Sequence, residues 1–171
     1  MDKLKKALVE SNSNQNENYL KYSKWMNIVL RRATEVGKIE IPISALIIDE
    51  RGRCIGRGSN NRQLNNNPLG HAELIALRQA AWIRNDWRFN DCTLIVNLEP
   101  CTMCSAAIIQ SRVGTVVYAS TDKKRGGLGG SIDLSNHKSA HHNMTVVKGV
   151  FENESKELLQ NWFKKLRIEK K

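Results

Sequence analysis

The chain has 171 residues and a mass of 19.4 kDa, enough for one domain with a core of its own and no need of disulfide staples. Its longest uncharged apolar runs, Ala45-Leu46-Ile47-Ile48 and Ala106-Ala107-Ile108-Ile109, fall far short of the ~20 residues of a membrane-crossing helix, which excludes a bilayer-spanning chain. Lys plus Arg number 27 against 17 Asp plus Glu, a formal charge of +10, and a body this basic suits a polyanion such as RNA, with simple solubility as the alternative.

In residues 1–18, Lys3, Lys5 and Lys6 are balanced by Asp2, Glu10 and Glu17, and the apolar stretch Ala7-Leu8-Val9 is too short for a secretory h-region. No export signal is expected, and a cytoplasmic location follows. The Asn/Ser/Gln run from Ser11 to Asn18 lacks the apolar residues that would offset the entropy of ordering it, so residues 1–18 read as a floppy arm and residues 19–171 as the single domain.

Over residues 19–36, Tyr22, Met26, Val29 and Ala33 recur at helical spacing, and Gly37 supplies the stop. Pro42 forces an extended entry into the strand Ile43-Ser44-Ala45-Leu46-Ile47-Ile48, which turns at Asp49-Glu50-Arg51-Gly52 and returns as Arg53-Cys54-Ile55-Gly56-Arg57, a hairpin. Residues 59–70 are Asn-rich and predict a loop that leads directly into His71. A partly buried helix follows over 72–84, with Leu74, Ile75, Ala76, Gln79, Ala80 and Ile83 as its inward positions, and then the buried strand Thr93-Leu94-Ile95-Val96.

A third helix starts near Cys101, residues 113–119 predict an interior strand, and residues 122–143 are a Gly-, Lys- and His-rich loop. The last strand is Thr145-Val146-Val147, and the last helix carries the apolar stripe Leu158, Leu159, Trp162, Phe163 and Leu166. Strands alternating with helices in this way predict an α/β domain, three-layer α/β/α, with one mixed sheet of about five strands covered on both faces. If the second and third helices begin at the carboxyl ends of strands, their first turns converge where open α/β sheets usually bind substrate.

The chemistry is concentrated there. Cys101 and Cys104 lie in Pro100-Cys101-Thr102-Met103-Cys104, and His71-Ala72-Glu73 lies 30 residues earlier. Two cysteines at i and i+3 on a helix start face one side, and the positive end of the helix dipole favours their thiolates. With His71 they make three ligands for a zinc ion, leaving a fourth position for water, while Glu73 is free to move protons. Cys92 or Cys54 as a fourth ligand would close the site and make it structural, but neither has a partner at metal spacing, and both read as core cysteines. His-x-Glu followed by Pro-Cys-x-x-Cys is the signature of the zinc nucleobase deaminases.

From about Tyr19 to Arg167 the chain resembles the bacterial-type tRNA-specific adenosine deaminases of the cytidine/deoxycytidylate deaminase superfamily. The resemblance rests on Glu40-Ile41-Pro42-Ile43, Gly58-Ser59-Asn60, the run from His71 to Gln79, Leu98-Glu99-Pro100-Cys101-Thr102-Met103-Cys104, and the run from Ser111 to Tyr118. It implies a cytidine deaminase-like fold, one zinc ion per subunit, a homodimer, and hydrolysis of adenosine to inosine at the wobble position of a tRNA anticodon, with Glu73 as proton shuttle. By matching position it also implies that Asn60 hydrogen-bonds the flipped base, Ile43 lines its pocket, the backbone around Ala72 and Glu99 positions it, and Asp122 sits by the anticodon loop.

The chain departs from the family pattern at Ser105-Ala106, at Ala119-Ser120, and in the loop from Asp122 to Ser131, which is one residue longer. His137, His141 and His142 read as exposed loop residues, although His142 matches a family position that could touch RNA. Lys156, Lys164, Lys165, Arg167, Lys170 and Lys171 either track phosphates or form a solvated helix face. The rival readings are a zinc deaminase of a free base or nucleotide (guanine, cytosine, dCMP) and a non-catalytic RNA-binding zinc protein.

Overall fold

The spacing of Tyr22, Met26, Val29 and Ala33 decides how the first helix sits: all four are buried, on one face. The computed structural model describes the backbone of residues 2–169 and the side chains of residue 17 and residues 19–169, so the floppy-arm reading of residues 1–18 lies almost wholly outside the described side chains. Helix α1 (Asp2–Val36) is followed by β1 (Ser44–Ile48), β2 (Cys54–Ser59), α2 (Ala72–Arg84), β3 (Thr93–Leu98), α3 (Thr102–Gln110), β4 (Thr115–Ser120), β5 (Thr145–Lys148) and α4 (Glu152–Glu169).

The five strands form one sheet in the order β2-β1-β3-β4-β5. β1 runs antiparallel to both β2 and β3, whereas β3, β4 and β5 run parallel, so the sheet is mixed as expected. Its central strands are apolar on both faces, and the period of two sends successive side chains to opposite cores. Ala45, Ile47, Leu94, Val96, Val116 and Tyr118 join Ala72, Ala76, Ala80 and Ile108 from α2 and α3. Leu46, Ile48, Ile95, Val117 and Ala119 join Tyr22, Met26 and Val29 from α1. On that second face α4 lies beside α1, tied to it where the Trp162 indole donates to the Gly37 carbonyl at 2.8 Å.

Helix α2 sits differently from its apolar pattern. Its buried line is Ala72, Glu73, Ala76, Leu77 and Ala80, while Ile83 is 52% exposed. The cause is the neighbouring strand: Gly56 and Gly58 of β2 face α2 so closely that a methyl added at either would strike the carbonyl oxygen of Ala76 or Ala72. Only small side chains fit where α2 crosses β2, and Trp82 and Ile83 are turned outward. Two further expectations are corrected. Phe163 is 40% exposed, leaving Leu159 as the buried anchor of α4, and Cys54 is exposed on the edge strand β2 rather than in the core.

One buried polar residue, Asn97 of β3, fixes the entry to β1. Its Oδ1 accepts from the Ser44 N–H at 2.9 Å and its Nδ2 donates to the Pro42 carbonyl at 2.9 Å. These two bonds hold the backbone on either side of Ile43. Because the contact of α2 with β2 has no spare volume, Gly58→Ala should lower unfolding stability by about 1–3 kcal/mol, as overpacking does, whereas Gly52→Ala at the open hairpin turn loses only through its positive φ. Urea denaturation of the two variants checks this, with the larger drop expected at Gly58.

Candidate metal centre and catalytic acid

The ends of β2, β3 and β4 share one edge of the sheet, since Ser59 pairs with Ser44, Ala45 with Val96, and Leu98 with Ser120. Both helices that carry the chemistry begin at this edge. His71 is the N-cap of α2 in extended backbone (φ −85, ψ 142), and Cys101 is the N-cap of α3 (φ −66, ψ 171). An N-cap side chain stands clear of the helical turn, and here neither caps its own helix, which leaves both free to point at each other.

His71 Nδ1 lies 3.7 Å from Cys101 Sγ and 3.5 Å from Cys104 Sγ, and the three donor atoms are all within 4.8 Å of one another. Tetrahedral coordination with standard zinc–nitrogen and zinc–sulfur bonds places those atoms about 3.6 Å apart, so the donor set fits a single small cation. Among the described residues no fourth His, Cys, Asp or Glu joins the cluster. Cys92 is elsewhere: it is buried, Arg84 Nη1 donates to its sulfur at 3.0 Å, and burial pushes its thiol up to about 12.

The electrostatics set the two cysteines apart. A hydrogen bond from the Cys104 thiol, helped by one from His71 and opposed by burial, pulls Cys101 down to about 4. Cys104 is correspondingly pushed up, by its bond to Cys101, by burial and by the charge of Glu73. His71 is raised mainly by its bond to the Cys101 thiolate. Glu73, 4% exposed in the first turn of α2, is outside the donor cluster, and burial raises its carboxyl to about 6. A carboxyl poised there can both accept and return a proton near neutral pH.

The other expected site residues fall into two hydrogen-bonded groups. The Asn60 N–H donates to the Ile43 carbonyl at 3.1 Å, and the Asn60 Oδ1 accepts from the Ala72 N–H at 3.0 Å. Asn60, Ile43 and Ala72 are thus tied to one another and to the start of α2. Glu99 is buried, and its carboxylate accepts the backbone N–H groups of Asp122, Leu128 and Gly130. The Asp122 carboxylate accepts the N–H groups of Lys124 and Arg125 and so folds its own turn. His142 bonds the Val113 carbonyl at 2.9 Å and His137 bonds Ser139, while Lys156 pairs with Glu152 at 2.6 Å.

Sequence reasoning missed Asn97, and of Glu99 it marked the backbone but not the task of the side chain. Asn97 reads as an interruption in an apolar strand, which is itself the signal of a buried polar residue with a fixed task. For the side chain of Glu99 no local signal exists, because its partners lie 23 to 31 residues further on.

Comparison with known proteins agrees with this geometry. Residues 17–167 match the family of MafB19-like deaminases, which places the chain in the deaminase class. It is 38% identical over 132 residues to a tRNA-specific adenosine deaminase of Haemophilus influenzae, covering 77% of this chain and 76% of that one. Identity to a tRNA-specific adenosine deaminase of Rickettsia bellii is 37% over 131 residues, covering 76% and 90%. A solved structure from work on A-to-I editing by tRNA:A34 deaminases at the wobble position of transfer RNA superposes with a TM-score of 0.75 at 34% identity, over 78% of this chain and 97% of that one. A guanine deaminase from Nitrosomonas europaea shares the fold, with a TM-score of 0.66 at 23% identity, over 80% and 81%. Within the deaminases, the chain belongs to the family of tRNA-specific adenosine deaminases.

If the three-donor cluster is the metal site, Cys101→Ser and Cys104→Ser should each lose bound metal on dialysis against a mild chelator. Cys54→Ser and Cys92→Ser should keep one equivalent, read by elemental analysis of the dialysed protein.

Proposed function

We infer that the protein is a zinc-dependent hydrolase that converts adenosine to inosine at the wobble position of a tRNA anticodon. The observation that carries this reading is the cluster of His71, Cys101 and Cys104 with the buried Glu73 beside it, on a chain 38% identical to a tRNA-specific adenosine deaminase. The net charge of +10 supports a polyanionic substrate over a free base.

His71, Cys101 and Cys104 would hold a zinc ion, which would supply the Lewis acidity that lowers the pKa of water. Glu73 would accept a proton from the water whose oxygen bonds to C6 of adenine. The same carboxyl returns that proton to N1, then takes the proton of the new C6 hydroxyl and delivers it to the departing amine, so the C6–N bond breaks, ammonia leaves and the C6 carbonyl of inosine remains. Burial keeps Glu73 near the pKa this double duty needs. Asn60, held by Ile43 and by the start of α2, presents its amide to the base, and Ile43 lies against it.

A homodimer would have exposed apolar side chains to cover near the end of α2, where Trp82 is 83% exposed, Ile83 52% and Trp87 55%. Among the described residues no helix is long and apolar enough to cross a membrane. A cytoplasmic site of action accords with a tRNA substrate and with two cysteines that must stay reduced.

Incubation with an anticodon stem-loop RNA, with free adenosine, guanine and cytosine as parallel substrates, tests the reading. Conversion of the stem-loop, seen as A-to-G on sequencing, is expected, and preference for a free base would contradict it. Glu73→Ala should keep metal and RNA binding while kcat falls by at least about 100-fold, the size of a lost general acid–base. An active Glu73→Ala enzyme would remove that carboxyl from the mechanism.

A further inference from the structure

Glu99 is 2% exposed and lies two residues before Cys101, and the reaction above gives its side chain no proton to move and no substrate to touch. All of its hydrogen bonding goes to one later loop. Oε2 accepts from the Asp122 N–H at 2.9 Å, and Oε1 accepts from Leu128 at 2.9 Å and Gly130 at 2.8 Å. The loop is shaped around the carboxylate: a methyl at Gly126 or Gly130 would collide with it. Two backbone links lie alongside, from the Gly127 N–H to the Pro100 carbonyl at 2.9 Å and as a bridge pairing Cys101 with Gly126.

Between the anchored ends stand Lys123, Lys124 and Arg125, all exposed, and no ion pair engages them among the described residues. The turn that carries them is closed by the Gly126 N–H on the Asp122 carbonyl and by the Asp122 carboxylate on the Lys124 and Arg125 N–H groups. Three free cations are therefore mounted on a folded tip, and that tip hangs from an acid in the segment that supplies a metal donor.

We propose that Glu99 is a positioning residue whose carboxylate holds the Lys123–Lys124–Arg125 tip beside Cys101, so that RNA phosphates gripped by the tip are in register with the reacting base. The ligand class is the phosphodiester backbone of the nucleotides flanking the target, and the proposal rests on the RNA reading above. Phosphates bind the tip through charge, which carries no sequence information. The distance from tip to metal donors is set by Glu99. Either carboxylate oxygen replaced by an amide NH2 would confront a backbone N–H, so Glu99→Gln frees the tip with almost no change of volume.

The test uses the full-length, metal-loaded protein and a labelled anticodon stem-loop, with Kd measured across a salt series. The variants are Glu99→Gln, the triple Lys123→Ala/Lys124→Ala/Arg125→Ala, the two combined, and Gly130→Ala, which wedges the loop off the carboxylate while leaving Glu99 in place. Glu99→Gln should weaken binding about tenfold, reduce the slope of log K against log salt by about 0.7 for each phosphate no longer gripped, and raise KM with kcat within about threefold. The amides of Asp122, Leu128 and Gly130 should exchange faster, the combined variant should bind no more weakly than the triple, and Gly130→Ala should reproduce the loss.

Unchanged affinity and salt slope in both Glu99→Gln and Gly130→Ala, or losses that add in the combined variant, would overturn the proposal. If the wild-type protein deaminates the stem-loop and the variants match it, only the role of Glu99 falls. If the wild-type protein ignores the stem-loop and acts on a free base, the RNA reading falls, and the RNA ligand proposed for the tip falls with it.

Discussion

Where α2 lies on the sheet decides where His71 ends up, and α2 can lie where it does because Gly56 and Gly58 present no Cβ to it. The helix rests on β2 through Ala72, Ala76 and Ala80, backbone almost against backbone. Moving it outward by the width of a methyl group would carry the imidazole away from two sulfurs now 3.5 and 3.7 Å from it. Metal–ligand bonds tolerate only a few tenths of an ångström, so the packing of small residues some distance from the chemistry sets whether three donors can share one ion.

Beside the apolar packing of Ile43 and Ala72, polar bonds hold the backbone between Asn97 and the start of α2. Asn97 fixes the strand entry around Ile43, Ile43 accepts the Asn60 N–H, and Asn60 in turn accepts the Ala72 N–H at the start of α2. This chain of bonds runs from the middle of the sheet to the helix that bears His71 and Glu73. A buried network of this kind has little freedom to relax, because each unmade bond leaves a desolvated donor or acceptor. Glu73 sits at its end, in a place dry enough to raise its carboxyl to about 6.

Much of this was legible in the residues themselves. The alternation of strands and helices, the hairpin, the face of α1 marked by Tyr22, Met26, Val29 and Ala33, and the closeness of His71 to Cys101 and Cys104 follow from periodicity and spacing. The facing of α2 did so only in part: Ala76 and Ala80 are buried as their spacing suggests, but Ile83 is exposed, and the reason the alanines line the contact lies in the glycines of another strand. Cys54 misled for a related cause: it belongs to β2, an edge strand whose outer positions meet water. The carboxylate of Glu99 was invisible because its partners are set by the course of a loop with no regular period.

In the proposed function one imidazole and two thiolates would hold a zinc ion and leave room on it for solvent and substrate. X-ray absorption at the zinc edge of the purified, zinc-loaded protein tests it directly. Two sulfur neighbours at about 2.3 Å and two nitrogen or oxygen neighbours at about 2.0 Å are predicted. A third sulfur, which would bring Cys92 or Cys54 into the shell, would contradict the account and leave no place for the hydrolysis.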